Sequence, residues 1–454
     1  MRVCHGFTAE FDEPNLVSSA GLAPVLLLAE RAGFQDLVGE HVQIAKPGGV
    51  NAQLKIPSLV AGMIVGADSI DDMALLRHGA MGRLFGGVRA PSTLGTFLRT
   101  FSFGHVRQLD AVASRLLINL TRHAPLLPGV EKLAYIDIDD TIRQTYGYHK
   151  QGAGRGYSGV KGLNALIAIL STPGSAPVIA AARLRKGSTA SVRGAKHLVA
   201  EVLSTAKAAG ASGVRVLRAD SAFYNSDIIA TATRHDTCFS ITARKDPAIR
   251  AAITTIAADA WTPIKYTDAI YDQDQQRWIS EAEVAEIPYT AFTSRAKAKQ
   301  VSARLIVRRV PDLNPDHQDE LFTVYRYHAV FTNSPLSMLV AEKAHRGHAI
   351  VEQVISDVKN GPLAHLPSGS FGANSAWLVC AAMAFNLTRA AGNLASAFHA
   401  KATTGTIRAQ LINVPARLAR SARRLRLHLP TAWPFEHAFK QLLAATRDGP
   451  QPTP

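Results

Sequence analysis

Apolar residues over the first 125 positions recur at helical spacing. GLAPVLLLAERAGF (21–34) and IPSLVAGMIVGADSIDDMALLRHG (56–79) carry them at i, i+3 and i+4. Asp68 or Ser69 is placed to cap the helix that carries Met73, Leu75 and Leu76, and Ser92, after Pro91, marks another start. The pattern changes at Leu133. LAYIDIDDT alternates with period two, as a strand does, and LNALIAIL (163–170) and APVIAAARL (176–184) follow as two more, split by the turn cluster STPGS. SVRGAKHLVAEVLSTAKAAG returns to helical periodicity and ends on Gly210. VRVLRAD (214–220) is a fourth strand, Ile228 to Thr233 a short helix, and CFSITAR (238–244) a fifth strand.

Three strands on short connections, then helix, strand, helix, strand, is the order of a ribonuclease-H-like α/β fold. Residues 245–340 break that order. WTPIKYTDAIYD, QQRWISEA, SARLIVRRV and ELFTVYRYHAVFTN read as strands between polar turns, hence a β-rich insertion. His345 to Asn360 and Ala376 to Leu394 then read as helices, and the tail from Asp448 as disordered. The division expected is a mainly helical N-terminal domain over 1–125, for DNA-end binding, dimerisation or plain packing. After it come the first part of the core (126–244), the insertion (245–340), the second part of the core (341–400) and a basic C-terminal region (401–454).

Composition narrows the class. Of 454 residues 47% are apolar, enough for a sizeable core. The longest apolar run, Ala376 to Phe385, is too short to span a membrane, and the first residues lack the apolar segment of a secretion signal. Cys4, Cys238 and Cys380 are scattered and odd in number, which argues against a disulfide framework or structural zinc and fits a reducing cytoplasm. The net charge of +15 and the isoelectric point near 9.9 suggest a polyanionic partner. That charge is clustered. Thr141 to Ala200 holds nine basic residues, Lys150, Arg155 and Lys161 among them, and no acid; Lys401 to Pro430 holds seven and no acid. A nucleic acid lying along those stretches accounts for both.

Acids appear where strands end. Asp139 lies near the end of the first strand of the core and Asp220 at the end of the fourth. Ends of neighbouring strands converge on one crevice in an α/β sheet. A carboxylate closing an apolar run is poorly solvated there, and a hard cation such as Mg²⁺ or Mn²⁺ compensates it. Two such ions about 3.5–4 Å apart activate the attacking oxygen and stabilise the leaving oxygen of a phosphodiester. Glu352, after the insertion, is the candidate third ligand. The bland alternative is that Asp220 only caps a turn. Asp137 shares a strand face with Asp139, and Asp140 points the other way; Asp139 is nearer the strand end and is preferred, with Asp137 as support.

DIDDT, YGYHKQGAGRGYSGVKGLNAL, LRADSAFYN, VEQVISDVKNG and SFGANSAWLVCAAMAFNLTR together resemble the DDE transposases of bacterial insertion sequences. The nearest resemblance is to the insertion-sequence family numbered thirteen-eighty, in the group with a β-strand insertion in the catalytic domain, and it runs from about Phe11 to Pro434. It implies a ribonuclease-H-like core, Mg²⁺ with Mn²⁺ as substitute, and cut-and-paste movement of the encoding element. It implies the triad Asp139, Asp220 and Glu352 for metal and catalysis. The implied partners are double-stranded DNA, as terminal inverted repeats and target, and a second copy in a homodimer; the implied location is cytoplasmic, at the nucleoid. The group's signature around the Glu is Tyr, two residues, Arg, three residues, Glu, six residues, Lys. Glu352 and Lys359 fit it, while His345 stands at the Tyr position and His348 at the Arg position, with Arg346 off register. On an unbroken helix His348, Glu352 and Lys359 share one face and, with Arg346, are expected to meet DNA. Related enzymes stack a flipped base on a tryptophan of the insertion, where Trp261 and Trp278 are available, although a packed aromatic explains either one. Two other classes remain at this point: a DNA-binding derivative that no longer cuts, and a ribonuclease-H-type nuclease.

Overall fold

A computed structural model of the chain describes residues 5–146, 149–156, 158–272, 277–311, 324–421 and 424–448. The chain is mixed α/β and forms two compact units. One comprises Met1–Leu126, Gly147–Gln151 and Asp357–Pro454; the other comprises Leu127–Tyr146 and Gly152–Ser356.

The second unit is built on a ten-stranded sheet. Its strands are β1 (Leu133–Gln144), β2 (Gly154–Arg155), β3 (Lys161–Ser171), β4 (Val178–Lys186), β5 (Val214–Ala219), β6 (Cys238–Thr242), β7 (Thr262–Asp272), β8 (Arg277–Ala291), β9 (Val301–Pro311) and β10 (Tyr325–Thr332). Along the sheet the order is β2-β3-β1-β5-β6-β10-β9-β8-β7, with β4 also paired to β3. β1, β3 and β4 run antiparallel as a meander. β5 and β6 then add parallel to β1 through helical crossovers. The crossover helices are α1 (Ala195–Ala208) and α2 (Ser226–Arg234), and α1 packs on β4, β3 and β1. Buried apolar positions fill β3 almost without a break, as expected of a strand covered on both faces.

Residues 245–340, expected as a β-rich insertion, hold the strands β7 to β10 and also helical segments. They open with a helix, α3 (Pro247–Thr254), capped by Asp246 at Ile249 N, 2.9 Å. Their strands also continue the same sheet, because β10 pairs antiparallel with β6. Beyond them α4 (Met338–Arg346) rests on β8 and β9, with Ala341 packed among Val284 and Ile306. The single helix expected over 345–360 is broken: a 3₁₀ turn at Gly347–Ala349 separates α4 from α5 (Ile350–Lys359).

The first unit centres on the helix Phe371–Ala395, which is buried along nearly its whole length. Helices Phe103–His123, Ala52–Val65, Pro91–Arg99 and Leu22–Arg31 surround it, as does Glu436–Asp448. A helix that is apolar on every side needs partners on every side, and both ends of the chain supply them. Asp71–Leu76 is a 3₁₀ helix held by reciprocal bonds between Ser69 and Asp72. The helix expected at Ser92 begins one residue earlier, with Pro91 in its first turn. Ala416–Ser421 and Arg424–His428 form a hairpin whose first strand pairs with Leu16–Val17. Among the described residues no helix is long and apolar enough to cross a membrane.

Candidate active site

The site follows from one parallel register. Asp137 of β1 lies opposite Arg218 of β5, and Ile138 opposite Ala219. One step further the same register carries Asp139 beside Asp220; β5 ends at Ala219, whereas β1 runs on past Asp139 to Gln144 against β3, so Asp139 lies within its strand and not near the strand end expected. Asp139 Oδ1 accepts from the Asp140 N–H at 2.7 Å, and Asp220 Oδ1 from the Ala222 N–H at 3.0 Å. Both residues are half-buried. Burial pushes the Asp139 carboxyl up to about 7, and the charge of Asp220 adds to the rise. Burial also raises Asp220, although the Ala222 N–H and the charge of His348 pull the other way. Two carboxylates that resist ionising together want a cation between or beside them.

The two neighbouring aspartates have other duties. Asp140 faces the opposite side of the sheet, where Asn164 Nδ2 donates to it at 2.9 Å and Arg185 forms an ion pair with it. Arg185 also donates to the carbonyls of Ser191 and Arg193, at 2.8 and 2.9 Å, and so ties β4 to the entry of α1. Asp137 is wholly buried. Arg218 grips it with two bonds of 2.7 Å, and His348 Nδ1 bonds its Oδ1 at 2.9 Å. Arg218 donates as well to Ala344 O. Gly347 permits this approach, since a Cβ there would sit 2.9 Å from Arg218 Nη1.

His345 lies next in this layer, between Ser240 Oγ at 3.0 Å and Thr242 Oγ1 at 2.9 Å. Burial holds its pKa down to about 3, and the charges of His348 and Arg218 add to this. A base whose folded pKa is depressed contributes stability that is present above its unfolded value, near 6.5, and is lost as pH falls toward the folded value. Stability should therefore fall by about 2 kcal/mol on this account between pH 6.5 and pH 5. His345→Gln, which keeps the hydrogen bonds and cannot titrate, should flatten the decline in thermal melts taken over that range. An unchanged decline would show that His345 plays no part in it. His328, held down to about 3 by burial, acts with the same sign.

The family model described as transposase DDE domain group 1 matches residues 5–450. The chain belongs to that family. Among curated proteins none matches it.

For a DDE transposase the pair Asp139–Asp220 is chemically suited to a hard divalent ion, with oxygen donors and an excess of negative charge. Among the described residues no group of three His, Cys, Asp or Glu side chains comes together to hold a metal. Glu352 stands exposed in the first turn of α5, and Lys359 half-buried in its last. The common face expected for His348, Glu352 and Lys359 is not formed. The 3₁₀ turn rotates His348 inward to Asp137 while Glu352 meets solvent. Arg346 is paired with Glu342 at 2.8 Å, and Glu342 also faces Arg308.

The basic stretches divide in the same way. Lys150 donates to Leu366 O, Arg155 is exposed and reaches Gly159 O at 2.7 Å, and Lys161 is half-buried on β3. Arg183 pairs with Glu201 at 2.7 Å, so Arg183, like Arg185 and Lys150, has a partner within the chain. Trp261 lies under the Arg309 guanidinium at 4.1 Å and beside Tyr327, a packed setting; the Trp278 side chain lies outside the described residues. Sequence reasoning missed Arg218 and Arg185. The signal for Arg218 was present: an arginine inside the apolar run VRVLRAD requires a buried partner.

Proposed function

We propose that this DDE transposase is an active, metal-dependent DNA-cutting and strand-transferring enzyme of a bacterial insertion sequence, of the family numbered thirteen-eighty, with a ribonuclease-H-like core. The observation that carries the reading is the register that sets Asp139, within β1, beside Asp220 just past the end of β5, with Asp139 pushed up to about 7. Asp139 and Asp220 would hold Mg²⁺, or Mn²⁺ in its place, and Glu352 on α5 would complete the set. A bound ion there would withdraw charge from the attacking and leaving oxygens of a phosphodiester. The chain's own residues orient the pair: the Asp140 and Ala222 N–H groups fix one oxygen of each carboxylate. The substrates are the terminal inverted repeats of the element and a target duplex, taken up by a homodimer.

The test is a duplex ending in the element's terminal repeat, incubated with Mg²⁺. Cleavage at the repeat boundary and joining of the freed 3′ end to a second duplex are expected. Binding without cleavage in Mg²⁺ or Mn²⁺ would make the chain an inactive DNA-binding derivative. Cutting confined to RNA–DNA hybrids would make it a ribonuclease-H-type nuclease.

The basic hairpin offers a separate measurement. Arg424 and Arg426 are exposed on its second strand. Removing residues 401–454 is a poor probe. Arg408 is half-buried and donates to Ile64 O at 3.0 Å, and Glu436–Asp448 packs on the central helix. The double variant Arg424→Gln, Arg426→Gln spares that core. If both arginines meet phosphates, the slope of log K against log salt should become shallower by about 2. An unchanged slope would show a hairpin that only solvates and packs.

A further inference from the structure

Among the described residues His348 has a hydrogen-bond partner on one ring nitrogen, Nδ1, and none on the other. Its Nδ1 bonds Asp137 Oδ1 at 2.9 Å, and the side chain is 14% exposed. Asp137 is fully buried and ionically paired with Arg218, so it can only accept. The shared hydrogen therefore sits on His348 Nδ1, and a neutral ring in that tautomer carries a lone pair on Nε2. Asp137, its anchor, lies two positions before Asp139 on β1, so the two share one strand face and His348 stands on the face that carries Asp139. The adjacent His345, its ring 6.4 Å away, engages both of its nitrogens with Ser240 and Thr242. A buried carboxylate, an imidazole locked in one tautomer and a free Nε2 near the reacting centre are the parts of an oriented general base.

We infer that Asp137 and His348 form a dyad in which His348 Nε2 takes the proton of the hydroxyl attacking the scissile phosphodiester. The inference rests on the transposase reading and adds a proton acceptor to it. The hydroxyl oxygen bonds to phosphorus and its proton passes to Nε2. The bond from phosphorus to the leaving 3′ oxygen breaks with its electron pair, and that oxygen takes a proton from solvent. His348 is the catalytic residue of the dyad; Asp137 and Arg218 are positioning residues that act through it.

The experiment uses the full chain, Mg²⁺ and a terminal-repeat duplex. His348→Ala should cut about 10²–10⁴-fold more slowly. Added imidazole should restore the rate in proportion to its concentration. DNA affinity should stay within about twofold, because affinity comes mainly from phosphate contacts. His348→Arg should remain slow with imidazole present. Cleavage by His348→Ala near the wild-type rate would overturn the dyad. So would a loss that His348→Arg repairs and imidazole does not, since that pattern marks a phosphate-binding cation. If the wild-type protein cuts no DNA, the transposase reading fails, and ¹⁵N-histidine spectra of the folded protein still decide the dyad. They should show His348 with its hydrogen on Nδ1, and that preference lost in Asp137→Asn. A hydrogen on Nε2 would overturn it.

Discussion

Asp139→Ala and Asp220→Ala are each expected to reduce cleavage of terminal-repeat DNA by more than about 100-fold. Residues that only orient a metal ligand are already worth 10–100-fold, so loss of a ligand must cost more. Binding to the same DNA should hold or rise, since each change removes a negative charge and leaves the basic surface intact. The register decides which aspartate of the first motif matters. Asp139 is the one set beside Asp220; Asp137 is two bonds deep in Arg218, and Asp140 faces the other side with Arg185. If Asp139→Ala still cuts, the pair is not the metal site. Glu352→Ala belongs to the same series. Glu352 is solvent-exposed in the folded chain. Loss of cutting without loss of fold would assign it to the site in the DNA-bound state.

Asp137→Ala should destabilise the sheet unit by about 3–5 kcal/mol, the usual result of stranding one partner of a buried ion pair. Arg218 is 4% exposed and would keep its charge with Asp137 gone. His348 would lose its anchor as well. The double replacement Asp137→Leu, Arg218→Met should recover most of that stability, because no charge is left buried without a partner. It should still impair cleavage, since nothing then orients His348. Chemical denaturation of the three proteins measures the first part and the duplex assay the second. A loss below about 1 kcal/mol in Asp137→Ala would mean that water reaches Arg218 and relieves it.

These expectations separate what was legible in the chain from what was not. The strands of the sheet unit were visible one by one, because alternation and apolar runs are local and each was bounded by its own turn residues. β1, β3, β4, β5 and β6 fall close to LAYIDIDDT, LNALIAIL, APVIAAARL, VRVLRAD and CFSITAR. Asp139 and Asp220 stood out for the same reason, as carboxylates closing apolar runs of sequence, although β1 itself continues past Asp139 to Gln144. The break between α4 and α5 was not legible, since 345–360 is periodic enough to read as one helix. That break turns His348 inward and leaves Glu352 outside. The charge clusters misled in part, because composition counts an arginine without showing what it faces. Arg185 is an interior structural cation and Arg408 a half-buried one bonded to Ile64 O, whereas Arg155, Arg424 and Arg426 are exposed.

The sequence by itself determined the strands of the sheet core and, through its motifs, the DDE transposase family, and it singled out Asp139 and Asp220 as candidates. Tertiary structure decided the rest: Asp137 against Arg218, Asp140 against Arg185, and both chain ends around the helix Phe371–Ala395. The physical reason is that local periodicity records which face of a segment is apolar. The partner of a buried charge depends instead on register and packing between segments far apart in the chain, 81 positions for Asp137 and Arg218.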